Sequence, residues 1–254
     1  MPKIIAIFNQ SGGVSKTTLT MNLGYQLAQT KKQKVLLIDL DPQSSLTTFM
    51  GIGEEEEDLL ETTIYDAIVK EQPLPIIETT YGVDLVPADI TLCSAEIELA
   101  SAMMREQRLS LALKPILDDY DFILIDCPPS LGLLSLMALF TATHLLVPIQ
   151  CQFKAFKGTE LLLQTVGTVR EKARPDLVIA GFVPTMFDKR TAQESRTLAA
   201  IQEQLSQVAT VFPPIPKSIA FADASEAMMP LAQFNSRHPA VATLKKIAKA
   251  LEKL

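Results

Sequence analysis

The chain has 254 residues, 48% of them apolar and 20% charged, with a mean hydropathy of +0.21, which places it outside the disordered range and able to bury a sizeable core. Its 23 basic and 29 acidic residues leave a formal charge of −6, so general attraction to nucleic acid or acidic membranes is excluded and any such binding needs a local basic patch. Cys93, Cys127 and Cys151 have no CxxC spacing and the only histidines are His144 and His238, which argues against a disulfide framework, a zinc site or a histidine-rich metal centre and fits a reducing cytoplasm.

Met1-Pro2-Lys3 runs directly into an apolar segment, and no signal peptide is expected. Short apolar runs then alternate with helical patterns. Strands are expected at Ile4–Phe8, Val35–Ile38, Val83–Val86, Phe122–Ile125, Leu145–Pro148, Val178–Val183 and Val211–Ile215. Helices are expected near Thr17–Thr30, Thr63–Lys70, Ala95–Leu113, Leu131–Leu139, Gly158–Lys172, Ala192–Gln207 and Ala240–Leu254. This is the pattern of an α/β fold, a single doubly wound and mostly parallel sheet flanked by helices. No repeat or linker divides it, so one domain over 1–254 is expected. Leu131–Ile149 is long enough to span a membrane, but polar residues and Pro148 interrupt it, and it reads as core. The acidic run Glu54–Asp58 reads as a solvated loop.

After the first strand comes Gln10-Ser11-Gly12-Gly13-Val14-Ser15-Lys16-Thr17-Thr18, and a helix pattern comes next. Strand, small-residue loop, Lys-Thr and helix together suit phosphate: backbone N–H groups and a helix N-terminus face the anion, Lys16 adds a point charge, and the Thr17 hydroxyl can hold Mg²⁺. The strict GxxxxGK[ST] pattern has glycine where Gln10 and Ser15 stand. If residue 15 must take positive φ, serine costs on the order of 1 kcal/mol there. Two apolar strands then end in carboxylates, Asp39-Leu40-Asp41-Pro42-Gln43 and Asp126-Cys127-Pro128-Pro129-Ser130, at the edge where doubly wound sheets gather ligands. Asp126 reads as the acid that organises Mg²⁺ through water, and the three segments together point to a nucleotide triphosphatase.

With GGVSKTT, LIDLDPQSS and LIDCPPS, and weaker support from VPIQCQF, GFVPTMFDKRT and PPIPKSIAFADA, the chain resembles the ParA/MinD family of deviant P-loop ATPases over essentially its whole length. The resemblance implies ATP and Mg²⁺ as ligands, a homodimer sandwiching two ATPs, slow hydrolysis, and positioning of a cargo through a small adaptor. Ser11 to Thr18 would then cradle the phosphates, Asp41 would align the attacking water, Thr17, Asp41 and Asp126 would form the magnesium side, and Met186 with Pro216 would lie near the adenine. The run DPQ after Leu40 resembles the ParA branch more than MinD. The family usually opens its loop with a lysine that reaches the partner's phosphates. Here that position is Ser11, which most closely resembles the maintenance-of-carboxysome-distribution ATPases and suggests carboxysomes as cargo, with plasmid or chromosome partition as the alternative.

A replacement cation is expected from Gln150-Cys151-Gln152-Phe153-Lys154-Ala155-Phe156-Lys157, a loop at the same sheet edge: Lys154 first, Lys157 second. The resemblance further implies that DNA docks near Lys189, Arg190, Arg196 and Lys217 in the C-terminal half of the dimeric protein, and with it a cytoplasmic, nucleoid-associated location; no helix-turn-helix or aromatic interleaving accompanies these residues, so sequence-independent contact is expected. Two other readings remain. One is a MinD-like membrane regulator using the basic amphipathic helix Ala240–Leu254, although that helix reads better as docked on the core. The other is an ATP-using metabolic enzyme such as a ligase, for which no acceptor site is visible. Cys127 and Cys151 read as buried structural cysteines, not iron–sulfur ligands.

Overall fold

The structure is a computed structural model and describes residues 2–30, 33–52, 60–79 and 81–254, apart from the side chains of 155 and 157; the acidic run 54–58 lies outside the described residues. Among the described residues seven strands form one sheet: β1 (Lys3–Ile7), β2 (Val35–Asp39), β3 (Ile77–Glu78), β4 (Asp84–Val86), β5 (Phe122–Asp126), β6 (His144–Gln150) and β7 (Val178–Thr185). Their order is β3-β4-β2-β5-β1-β6-β7, and every pairing is parallel except β3 with β4. The doubly wound, mostly parallel architecture expected from the alternation of apolar runs and helical patterns is the one observed.

Both faces of the sheet are covered, which is why its strands read as continuous apolar runs. Side chains alternate along β1, so Ile4 and Ala6 join one core with Leu36, Ile38 and Ile125, whereas Ile5 and Ile7 join the other with Leu37 and Leu124. The first core is roofed by α3 (Ile64–Val69), α5 (Arg108–Leu113), α6 (Leu133–Thr141) and α7 (Phe153–Lys172). The second is roofed by α1 (Lys16–Gln29) and α11 (Pro239–Leu251). Helices α2 (Ser45–Phe49), α4 (Ala95–Glu98), α8 (Ala192–Leu205), α9 (Ala220–Glu226) and α10 (Leu231–Phe234) complete the described set. Leu131–Ile149 resolves into α6 and β6, and no helix among the described residues is long and apolar enough to cross a membrane. The apolar side of α11 is docked on the core, with Val241, Leu244, Ile247 and Leu251 buried.

Three expectations need correction. Val211–Ile215 is not a strand and contributes only isolated bridges, Phe182 to Val211 and Phe187 to Pro216. Pro213, Pro214 and Pro216 remove the N–H donors that a ladder requires. The long helix over Ala95–Leu113 breaks into α4, a 3₁₀ turn at Arg105–Gln107 and α5. Its apolar spacing is deceptive, because Ile97 is 81% and Met103 86% exposed, and Met104 takes a left-handed φ of 55°. Finally, α7 begins at Phe153, five residues before the expected Gly158 (158 − 153 = 5), so Lys154 lies in the first turn of a helix and not in a loop. The two-residue β3 and the short α2, α9 and α10 carry no periodicity long enough to read.

Helix α1 sits close on β2 because Gly24 faces it: a Cβ at that position would fall 2.5 Å from Leu37 Cδ2. Gly24→Ala should therefore lower stability by about 1–3 kcal/mol in urea unfolding despite alanine's better helix propensity, because overpacking a filled core outweighs that gain. A variant as stable as the parent would show that α1 can retreat freely.

Candidate functional site

The carboxyl ends of β1, β2 and β5 meet at one edge. Register pairs Ile7 with Asp126 and Asp126 with Asp39, so two carboxylates end neighbouring strands beside the loop that leaves β1. That loop is pinned from below: Asn9 Nδ2 donates to the Pro148 carbonyl at 2.7 Å, Ser11 N donates to Asn9 Oδ1 at 2.9 Å, and Thr185 Oγ1 donates to the Val14 carbonyl at 3.1 Å. Gly13 has φ 70°, and Ser15, just before α1, has φ 73° and ψ 31°. The positive φ expected at residue 15 is thus present, with a serine bearing the steric cost of the left-handed region. Ser15 makes no side-chain cap, so the first-turn N–H groups of α1 are left to face a ligand.

Lys16, 6% exposed, turns back over the loop: its Nζ donates to the carbonyls of Asn9 at 3.1 Å and Ser11 at 3.0 Å. Burial pulls the ammonium below the usual lysine range, against the opposing charges of Asp126, Cys127 and Asp41. Asp126 is fully buried. Thr20 Oγ1 donates to its Oδ1 at 3.3 Å, while its buried Oδ2 has no partner. Burial first, then the charge of Asp39, hold its carboxyl well above the ordinary range, opposed by a hydrogen bond from Thr17 and by Lys16. An orphaned buried oxygen beside a threonine hydroxyl and an ammonium fits a hydrated divalent cation bridged to a phosphate. Among the described residues no cluster of three His, Cys, Asp or Glu could hold a metal by itself, so any cation here takes most of its ligands from elsewhere.

Asp39, also fully buried, has its pKa pushed up to about 6, with burial the largest cause. It organises the turn and helix after β2. Its Oδ1 accepts from Asp41 N at 3.1 Å, and its Oδ2 accepts from Thr47 N and Thr47 Oγ1, both at 2.9 Å. Thr47 Oγ1 in turn accepts from Ala88 N at 3.0 Å, tying α2 to the residues after β4. Asp41 is half-buried and accepts from Gln43 N at 3.0 Å. The motifs single out Asp41 but not Asp39, Thr47, Asn9 or Thr20 as supporting residues. The first carboxylate of Asp-Leu-Asp is visible in the sequence, but its partner Thr47 lies eight residues away and the next link, Ala88, much farther.

Beside the loop lies a cavity of about 710 Å³ lined by Ser15, Thr18, Phe49, Met186, Pro216 and Phe221, among others. The residues expected near an adenine, Met186 and Pro216, therefore share a wall with the phosphate loop, and Met186 reaches it through a left-handed φ of 53°. Gly12 is exposed, and a Cβ there would lie 3.8 Å from Pro129 Cβ. A Cβ at Gly158 would lie 3.8 Å from Ser11 Oγ, so α7 runs beside the loop, and Lys154, one turn earlier on the same helix face, is exposed. Nothing is described of the Lys157 side chain.

The candidate DNA contacts are only partly gathered. Arg190 forks onto Asp188, with Nη2 to Oδ2 at 2.7 Å and Nε to Oδ1 at 3.0 Å. This pair, helped by Lys217, holds the Asp188 carboxyl down at about 2. Lys217 N donates to the Phe187 carbonyl at 3.0 Å, so Arg190 and Lys217 flank one acid, with Lys189 exposed next to them. Arg196 is exposed on α8, and no described hydrogen bond or ion pair joins it to the others.

A family model described as an AAA domain matches residues 2–179. The chain is 46% identical over 194 residues to the sporulation initiation inhibitor protein Soj of Bacillus subtilis, covering 75% of each. It is similar in structure to cobyrinic acid a,c-diamide synthase of Mycobacterium smegmatis with a bound ATP analogue and magnesium, at a TM-score of 0.86 and 31% identity, covering 98% of this chain and 93% of that one. It is also similar to the ATP complex of McdA from Cyanothece, at a TM-score of 0.87 and 27% identity, covering 98% and 96%.

The Asp39–Asp126 pair predicts a pH-dependent penalty. Both folded-state pKa values are raised, so the cost is absent below about 4, where the carboxyls are protonated folded and unfolded alike, and grows as pH rises from there through the raised folded values. Asp126→Asn should therefore stabilise the ligand-free protein by about 1–3 kcal/mol near pH 8 and by much less near pH 5, read from unfolding midpoints at both pH values. An equal effect at the two pH values would contradict the buried-pair account.

Proposed function

The chain belongs to the ParA/MinD family of P-loop ATPases, and from that membership we propose that it is an ATP-switched positioning ATPase. In this reading it binds ATP with Mg²⁺, closes as a homodimer over two nucleotides, holds nucleoid DNA without sequence preference, and is returned to the monomer when a small adaptor on its cargo stimulates hydrolysis. The observation that carries the reading is the conjunction at one sheet edge of a left-handed Ser15 before α1, a buried Lys16 and the unpartnered Oδ2 of Asp126.

ATP would seat its phosphates on the first-turn amides of α1, and the Lys16 ammonium would exchange the carbonyls of Asn9 and Ser11 for phosphate oxygens. The Thr17 hydroxyl and Asp126 Oδ2 would hold the magnesium, which when bound neutralises phosphate charge. Asp41, set by the Asp39 carboxylate through its backbone N–H, would orient the attacking water. The base would lie in the cavity between Met186 and Pro216. Ser11 cannot supply a cation to a partner's phosphates, and Lys154 is the proposed replacement. It sits in the first turn of α7, at the end of the helix dipole that repels cations, and a local conflict of that kind is a mark of function.

For the cargo, Ser11 and the likeness to McdA support carboxysomes, whereas the DPQ run shared with the ParA branch supports a plasmid or chromosome. The likeness to a diamide synthase favours a second reading, an ATP-dependent ligase acting on a small acceptor. Turnover that rises with DNA and adaptor, and not with carboxylate and amide-donor metabolites, separates the two.

Asp41→Ala should retain ATP and form a dimer that persists, with turnover lowered by on the order of 10²-fold or more, measured by light scattering and phosphate release. A monomeric variant, or one with parental turnover, contradicts the water-positioning role. Lys154→Ala should lose ATP-dependent dimerisation and most of its turnover while its circular dichroism is unchanged, since a cation supplied in trans is worth roughly 10³–10⁵ in rate in comparable phosphoryl transfers. Parental behaviour in both Lys154→Ala and Lys157→Ala would remove the replacement.

A further inference from the structure

Helix α2 belongs to two regions of the site. Thr47, wholly buried, donates both its amide and its hydroxyl to Asp39 Oδ2 at 2.9 Å. The next two residues, Thr48 and Phe49, line the cavity of about 710 Å³ beside the phosphate loop, whose wall also includes Met186, Pro216 and Phe221. Leu46 is buried in the second core and the half-buried Phe49 packs against that core, so Phe49 is shared between core and cavity wall.

The Asp41 turn is joined to α2 without slack. Ser44 N donates to the Asp41 carbonyl at 2.9 Å, Ser44 takes a left-handed φ of 48°, and α2 starts at the next residue. A serine held in that region persists only where its surroundings over-determine it. Asp39 closes the ring, its Oδ1 accepting from Asp41 N at 3.1 Å while its Oδ2 accepts from Thr47. Thr47 Oγ1 also accepts from Ala88 N at 3.0 Å, so the hydroxyl is held as donor and acceptor at once. The Asp41 carboxylate accepts from Gln43 N at 3.0 Å, a bond within the same turn, and its placement follows that of the turn. From Phe49 the path to Asp41 N is two residues back to Thr47 and two hydrogen bonds through the Asp39 carboxylate.

We propose that α2 reads the nucleoside end of ATP and sets the rate of hydrolysis by it: a base in the cavity presses on Phe49, and Thr47 and Asp39 pass the resulting position of α2 to Asp41. Thr47 is then a positioning residue, and Phe49 is the point at which the base acts on turnover. The inference rests on the proposed reading, in which the base occupies this cavity and Asp41 orients the attacking water. Contacts to a remote part of a substrate accelerate its chemistry only when they improve the arrangement at the reacting centre, and a substrate lacking that part then loses kcat as well as affinity. An aligned water is sensitive to displacements of about 1 Å. If Phe49 were merely a wall, the base would add affinity alone.

The test is steady-state phosphate release by the full-length protein with Mg²⁺, taking kcat and KM separately for ATP and for inorganic tripolyphosphate, which keeps the phosphoanhydride bonds but has no base or ribose. The parent should turn over ATP with a kcat roughly tenfold or more above that for tripolyphosphate. Phe49→Ala should lower kcat for ATP and narrow this ratio toward one, and Phe49→Leu, which keeps an apolar side chain against the second core, should narrow it part of the way. Thr47→Val should lower kcat for both substrates by roughly tenfold or more, because it removes the hydroxyl tie to Asp39 itself, and Thr47→Ser, which keeps the hydroxyl, should restore ATP turnover. Equal kcat for the two substrates in the parent would overturn the link and leave the ATPase reading standing. Phe49 variants that change only KM for ATP, or that lower kcat for both substrates alike, would do the same, as would parental kcat in Thr47→Val. A parent that turns over neither substrate, or parental turnover in Asp41→Ala, would overturn the underlying reading as well.

Discussion

Asp39 and Asp126 are register partners on adjacent parallel strands and both fully buried, and the buried ammonium of Lys16 acts on Asp126. Two carboxylates and one cation cannot all be charged in a dry site without cost, and burial accordingly raises both carboxyls and lowers the lysine. The parallel register leaves no freedom to separate them, because moving either strand by one residue would turn its apolar side chains to the wrong core. The sheet that stabilises the protein therefore enforces a strained charge arrangement at its ligand edge.

Each carboxylate resolves that strain differently. Asp39 is satisfied by Asp41 N and by both the amide and hydroxyl of Thr47, so its charge becomes a mechanical tie holding the Asp41 turn and α2 in place. Asp126 accepts a long bond from Thr20 at its Oδ1, with Thr17 also acting on the carboxyl, and keeps its buried Oδ2 unpartnered. Lys16 meanwhile rests on two loop carbonyls, a neutral substitute for the anion its burial calls for. The ligand-free site is thus closed on itself yet electrostatically incomplete, and a phosphate with a divalent cation would supply the charges it lacks. Thr185 and Asn9 matter for the same reason: by anchoring the loop to β6 and β7 they prevent it from relaxing the strain through movement.

Much of this arrangement is legible in the residues alone. Strands buried on both faces read as apolar runs, and carboxylates at their ends stand out because nothing else at a strand terminus is so costly to bury. The Gly-Gly loop and Lys-Thr announce the helix start, and even the positive φ of Ser15 is implied by the position at which the pattern departs from glycine. The illegible part is tertiary. Thr47 as the partner of Asp39, and Ala88 as the partner of Thr47, depend on how α2 folds back, which no local spacing records. The start of α7 is hidden because Gln152 makes no side-chain cap, so no boundary signal precedes Phe153. The proline-rich 211–216 segment looks like a strand by composition, yet it meets β7 and Phe187 through isolated bridges and a bond from Ile215 N to the Pro184 carbonyl, without a continuous ladder.

The basic residues divide by what they already touch. Arg190 is neutralised by Asp188, which Lys217 also helps to hold ionised, so a phosphate taken up there must displace a carboxylate from the guanidinium. That exchange swaps one charge-assisted hydrogen bond for another and gains little unless several form together. Lys189 and Arg196, both exposed, have no such ion-pair partner among the described residues to give up. Release of counterions from a duplex rewards each unpaired cation in full. In an acidic protein, the cations free of local acids are therefore the ones on which affinity for a polyanion can most readily be built.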